Sequence, residues 1–287
     1  MTRSPGLLCL SYFLIAAAAI TVVSCSDADY YDQDLQDHEW DVLIFTQQWP
    51  VTACFHWIEE NHKHSCSLPN KKEFWTIHGI WPTKYGTVGP SFCNKSAEFD
   101  MKQIEPIEDA LKEFWPSVEA DFAIQHLWEH EWLKHGTCAA SLVELDNERR
   151  YFEQGLNWRD KYLVSNMLGA AGIHPDSSNT VIALQNALKK TLEKNPSIHC
   201  VYDHETQTSY LAEIRICFNK TLGLIDCDGV PGSHIAIDYP GGKVITNCHI
   251  SKPVQYPSVV PPIPPKSWKF PFVNLYKLLN FVMWFTL

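Results

Sequence analysis

Positive charge is what this 287-residue chain has least of: 23 lysines and arginines stand against 33 aspartates and glutamates, a net charge of −10 at pH 7. That balance excludes a protein that grips nucleic acid by charge alone at neutral pH, because neutralising phosphates takes a surplus of cations. No C-x-x-C pair is present, so there is no zinc ribbon. No internal repeat is present, and strands and helices do not alternate in a βαβ rhythm, which argues for an α+β domain over a doubly wound one. No run of small residues precedes the apolar C-terminal stretch, so a lipid-anchor signal fits poorly.

Histidine and cysteine are plentiful instead. All thirteen histidines lie beyond residue 25. Protonating them in an acidic compartment would reverse the sign of the net charge and allow polyanion binding. Arg3 is the only charge before Leu7–Val23, an apolar run followed by the small residues Ser24 and Ser26. Residues 1–25 therefore read as a signal peptide in preference to an uncleaved anchor, and the chain is expected outside the cell or in the endolysosomal lumen. Beyond this leader lie Cys54, Cys66, Cys93, Cys138, Cys200, Cys217, Cys227 and Cys248. An even number on this route implies four disulfides, although spacing alone leaves the pairing open. Asn94-Lys-Ser and Asn219-Lys-Thr are glycosylation acceptors.

Residues 26–250 are long enough for a single domain with a sizeable core. Trp40–Trp49 reads as a strand, Cys54–Cys66 as a polar loop, and Phe74–Pro82 as an aromatic, β-branched strand stopped by its proline. Ile104–Trp115, Leu142–Tyr151 and Thr180–Lys194 carry helical spacing, Tyr210–Phe218 alternates, Pro231–Gly242 is loop-like, and Val244–Cys248 suits a last short strand. Residues 251–287 form a proline-rich linker and then an apolar tail. Asn274, Lys277 and Asn280 interrupt that tail on one helical face, so residues 272–287 suit a peripheral membrane contact, or equally a tail docked on the domain.

His126–Cys138, HLWEHEWLKHGTC, concentrates the chemistry. As a helix it would place Glu131, Lys134 and His135 on one face and Trp128 and Trp132 on a burying stripe. An amphipathic helix with a solvated face is the bland reading. His126–His130 also matches H-x-x-E-H, an inverted zinc-protease signature, but no distant third ligand accompanies it. A third reading is metal-free phosphoryl chemistry by two histidines. It needs a second imidazole, and His78 in W-T-I-H-G-I-W-P supplies one, although a lone strand histidine is more often a core residue.

Together, and in this order, Trp75–Pro82 and His130–Cys138 resemble the two active-site segments of the ribonuclease T2 family, the acid or S-like ribonucleases. The likeness extends to Gln47-Gln48-Trp49-Pro50 and to the cysteine positions, and it spans about Trp40 to Cys248. It implies an antiparallel sheet core with flanking helices, and bridges Cys54–Cys66, Cys93–Cys138, Cys200–Cys248 and Cys217–Cys227. It also implies a monomeric endoribonuclease acting on single-stranded RNA without cofactor or metal, by way of 2′,3′-cyclic phosphates. His135 would be the base and His78 the acid, Glu131 and Lys134 would support the transition state, and His130 would bind phosphate. Trp81 would stack on a base, and Gln48 would contact a second one. Thr83 departs from relatives that carry an acidic residue there to select the base, so base preference does not carry over. The alternative is a secreted glycoprotein acting mainly by receptor binding or cell entry, with nuclease activity secondary.

Overall fold

Seven consecutive buried residues make β1 (Val42–Gln48) a strand covered on both faces, which is why its first four residues, Val42–Phe45, are apolar without alternation. In the computed structural model, residues 39–71, 74–87, 89–230, 235–240 and 242–263 are described, with residues 235 and 236 as backbone only. The expected signal peptide and the apolar tail lie outside the described residues. After β1 come α1 (Pro50–Glu60), β2 (Thr76–Thr83), α2 (Met101–Ile104) and α3 (Glu108–Phe114). Next, α4 (Gln125–Glu131) continues through a π-helical turn, Trp132–Gly136, into α5 (Thr137–Ala139). The chain then runs through α6 (Glu148–Lys161), α7 (Val164–Gly169), β3 (Ser177–Asn179), α8 (Val181–Leu192), β4 (Ser197–Asp203) and β5 (Thr208–Phe218). Four short strands follow: β6 (Leu224–Ile225), β7 (Ile235–Tyr239), β8 (Gly242–Thr246) and β9 (Val254–Tyr256).

The fold is α+β, as expected. Its sheet runs β2-β1-β5-β4-β8-β7, with β6 and β9 also against β5 and β3 against β9. Pairing is antiparallel except for β4 with β8 and β5 with β9. One face carries the main core, where Phe45, Trp115, Trp128, Tyr151, Phe152 and Phe218 are fully buried. Trp158 stacks on Phe218 at 3.9 Å and ties α6 to the sheet. Each such side chain contributes about 1.5–3 kcal/mol through burial. The bridges are Cys54–Cys66, Cys93–Cys138, Cys200–Cys248 and Cys217–Cys227.

Several elements differ from the reading of the sequence. The first half of the expected loop, Cys54–Glu60, belongs to α1, which Pro50 opens at its first turn, where a missing N–H is harmless. Pro82 does not stop β2: the strand runs on to Thr83, because β2 is the sheet edge and a proline there sacrifices no ladder bond. The span 104–115 is broken by a 3₁₀ turn, Glu105–Ile107, that holds Pro106. The span 142–151 is a 3₁₀ turn, Val143–Leu145, and then the start of α6, capped by the Asn147 side chain. Residues 235–239 form a strand within the expected loop. The expected linker begins later, because Val254–Tyr256 joins the sheet and the Pro257 carbonyl accepts from Trp49 Nε1 at 2.7 Å.

Candidate active site

β2 does not pair evenly with β1. Thr46 faces Gly79 and Gln47 faces Ile77, so His78 is the extra residue of a β-bulge. A bulge re-aims its side chain out of the strand's alternation. The His78 side chain is left a third exposed (33%) in a strand where, apart from Trp81, the other residues are buried. Its carbonyl accepts from Trp115 Nε1 at 2.8 Å, which fixes the backbone. Gly79 follows, and a β-carbon there would overlap both Glu131 Oε2 and Trp81 Nε1.

The histidine-rich stretch is helical, but not with a uniform period. The π turn inserts a residue between Glu131, which ends α4, and the resumed α-helix at Thr137. Such turns recur at functional sites because they rotate one part of a helix relative to the next. Glu131 is buried, whereas Lys134 and His135 are half-buried on the turn. Gly136 closes the turn, and a side chain there would overlap the Trp132 indole.

Trp81 joins the two segments. Its Nε1 donates to Glu131 Oε2 at 2.8 Å. Its ring lies 5.0 Å from that of His78 and 5.6 Å from that of His135. Two imidazoles from different elements thus face one indole. The His130 ring, exposed, lies 6.4 Å from that of His135.

Two residues here escaped the sequence reading. On β5, Glu213 Oε1 lies 2.7 Å from His78 Nδ1. Its Oε2 accepts from Arg215 Nε at 3.0 Å and Nη2 at 2.7 Å. The Arg215 guanidinium sits 5.1 Å from the centre of the Trp81 ring. The available signal was a carboxylate and a guanidinium at alternate positions of an otherwise apolar strand, Leu211–Phe218.

The surroundings set the two histidines apart. Burial works against a charged His78, but the hydrogen bond and charge of Glu213, with Glu131 beyond, outweigh it and raise its pKa. Burial pushes His135 down to about 2, and Lys134 and His130 add to the effect. His135 Nδ1 is buried without a hydrogen-bond partner among the described residues. Burial pushes Glu131 up to about 7, against the pull of His78 and the Trp81 bond. Burial opposes ionisation of Glu213 too, but Arg215 and His78 hold it well below the usual carboxylate range. Burial and Lys134 lower the pKa of His130. Groups displaced in opposite directions are what acid and base roles at one pH require.

Gln48, on β1, is buried and lines a cavity of ≈ 330 Å³ with His78, Glu213, Arg215, His199 and Asn247. A larger cavity, ≈ 680 Å³, lies between residues 67–71 and 112–124 and includes none of the site residues. Thr83 is buried, and its hydroxyl donates to the Trp81 carbonyl at 3.2 Å, so it is turned to the backbone. His126 of the H-x-x-E-H pattern stacks on Phe122 at 4.7 Å instead of meeting His130. A different set, His130, Glu131 and His135, brings donor atoms within 4.8 Å of one another and could grip an ion as well as exchange protons. Asn94 is exposed in a loop, whereas Asn219 is half-buried in the turn after β5.

A sequence model of the ribonuclease T2 family matches residues 40–227. Ribonuclease Oy of Magallana gigas is 37% identical over 225 residues, 77% of this chain and 98% of that protein. Ribonuclease T2 of Sus scrofa is 34% identical over 209 residues, 71% of this chain and 96% of that protein. Among solved structures, human RNase T2 is similar at a TM-score of 0.59 and 28% identity, over 76% of this chain and 99% of that one. RNase NT, solved in complex with 5′-AMP, is similar at a TM-score of 0.60 and 26% identity, over 76% and 98%.

Proposed function

This chain belongs to the ribonuclease T2 family, and from that premise we propose that it cleaves single-stranded RNA by transphosphorylation between two histidines. The observation that carries the reading is the pair of imidazoles, His78 and His135, facing Trp81 from two elements with pKa values displaced in opposite directions. His135, kept neutral, takes the proton of the ribose 2′-OH, and the freed oxygen attacks phosphorus. The bond to the 5′-oxygen breaks as His78, kept charged, gives that oxygen a proton. A 2′,3′-cyclic phosphate results, and water opens it to a 3′-phosphate with the two roles exchanged.

Lys134 and Glu131 meet the charge that grows on the phosphoryl oxygens. Below about pH 7 Glu131 keeps its proton and can donate to such an oxygen; above it, the carboxylate repels the phosphate. His130 contributes a further phosphate contact. Trp81 offers a stacking face, and Gln48 contacts a second base in the cavity beside His78. The chain travels the secretory route and is glycosylated at Asn94 and Asn219. Residues 272–287 make a peripheral membrane contact; their deletion should abolish co-sedimentation with anionic vesicles while RNA cleavage persists, and unchanged sedimentation would refute it.

The decisive experiment exploits the leaving group. A 5′-alkoxide needs an acid, whereas an aryl oxide of low pKa does not, and the 2′-OH needs a base in both. His78→Ala should lose about 10²–10⁴-fold on RNA and recover most of it on uridine 3′-aryl phosphate. His135→Ala should stay impaired on both. Rescue of His135→Ala instead would reverse the roles, and cleavage of RNA blocked by 2′-O-methyl would refute the mechanism. Wild-type activity should survive excess chelator, and kcat/KM should fall as pH rises through about 7, where Glu131 ionises, and fall further as His78, whose pKa is raised by Glu213, discharges. Loss in chelator with recovery on adding zinc would favour a metal held by His130, Glu131 and His135.

A further inference from the structure

His78 and His135 are the same residue type in one site, yet among the described residues His78 alone of the two has a carboxylate within hydrogen-bond distance of its ring. That carboxylate, Glu213, stands on β5, two strands from the edge. Both its oxygens are committed: Oε1 to His78 Nδ1, and Oε2 to a two-pronged contact with Arg215. Both guanidinium N–H groups meet the one oxygen, and with Oε1 against His78 the carboxylate is held at both ends and its charge is supported. The side chains of Glu213 and Arg215 are only 15% and 18% exposed, so water competes little with either contact.

With an ionised carboxylate at 2.7 Å, Nδ1 is the nitrogen that holds a hydrogen in both forms of the ring. Proton exchange is thereby confined to Nε2. We propose that Glu213, braced by Arg215, is the positioning residue of the acid histidine: it fixes which nitrogen of His78 delivers the proton and how the ring is aimed. This inference rests on His78 being the general acid. The bond sets the orientation of the ring and therefore acts in the step that protonates the 5′-oxygen, but not in the removal of the 2′-OH proton.

Other groups facing His78 do not substitute for Glu213. From the helical segment, Glu131 also favours the charged ring but is tied to Trp81. His130 and His135 are coupled to it through space, as is Glu119 from the segment before α4. Arg215 by itself works against a charged His78. His199, on β4, supports the ionised Glu213. Glu213 is the residue with a direct bond to the ring.

Glu213→Gln keeps the shape and removes the charge. It should lower kcat on RNA by about 10–100-fold, a fraction of what a general acid contributes, while uridine 3′-aryl phosphate, which needs no acid, loses less than about threefold. NMR titration of the His78 ring should show its pKa falling by about one unit or more, with more of the neutral ring protonated at Nε2. Glu213→Asp should restore part of both readouts. Arg215→Gln should move the His78 titration the other way, because a cation is removed. Equal losses on the two substrates, or an unmoved His78 titration, would overturn the inference. If Glu213→Gln unfolds, the Asp and Arg215 variants carry the test by the sign of the titration shift. If His78→Ala is rescued by the aryl substrate while these variants change nothing, the acid assignment stands and this inference alone fails.

Discussion

Gly79 is the residue on which both halves of the site converge. Beside His78 on the bulge, it leaves room for Glu131 and Trp81 to meet where a β-carbon would stand. Gly79→Ala should therefore cost activity out of proportion to stability: about 10²-fold or more in kcat/KM, because loss of one transition-state donor alone costs that much. Circular dichroism and kinetics on the same preparation check it; a loss below about threefold would mean that the two side chains simply move apart. At this scale the sequence was partly legible. His78 by itself looked like a core histidine, and only its pairing with a second motif lifted it out. Glu213 and Arg215 went unseen because alternation directs attention to the apolar residues of a strand, and a distant partner leaves no local trace.

At the scale of elements, both proposed proton carriers stand on irregularities: His78 on a β-bulge and His135 on a π turn. An expectation of an even helix and an even strand names the right segments and misses how each side chain is aimed. Inserted residues depend on the partner element, so neither irregularity has a local signature. The disulfide Cys93–Cys138 clamps α5 directly after the π turn, and Phe92 donates its backbone N–H to the Lys134 carbonyl at 2.9 Å. Removing this bridge with a Cys93→Ala/Cys138→Ala pair should cost ~2–4 kcal/mol in denaturant unfolding and reduce kcat as well. Removing Cys54–Cys66, which ties α1 to the loop that follows it, should cost stability with kcat little changed. Equal effects on kcat from the two pairs would show that the turn needs no clamp. Pro82 misled for a related reason: proline ends a strand only where its N–H would have had a partner, and edge position is not written in sequence.

For the whole molecule, the α+β class and the segments that form the site were legible because they rest on apolar patterning and on two long motifs. The pairing order was not, since β5 collects β1, β4, β6 and β9 from all along the chain. The charge balance joins the two scales. A chain at −10 repels RNA until histidines charge, so substrate attraction and a protonated His78 rise together as pH falls.

The edge position of β2 has a consequence for how the protein keeps company with copies of itself. An open strand edge offers donors and acceptors to any passing chain. Here several backbone groups of the strand are already spoken for. Trp115 covers the His78 carbonyl, and the Tyr151 hydroxyl donates to the Ile80 carbonyl at 2.8 Å and receives its N–H at 3.4 Å. Pro82 has no N–H to offer. The strand that carries the proposed acid is thus covered along its backbone at His78 and Ile80 while the side chains of His78 and Trp81 stay partly accessible, so it can admit a substrate with less of its edge offered to a neighbouring strand.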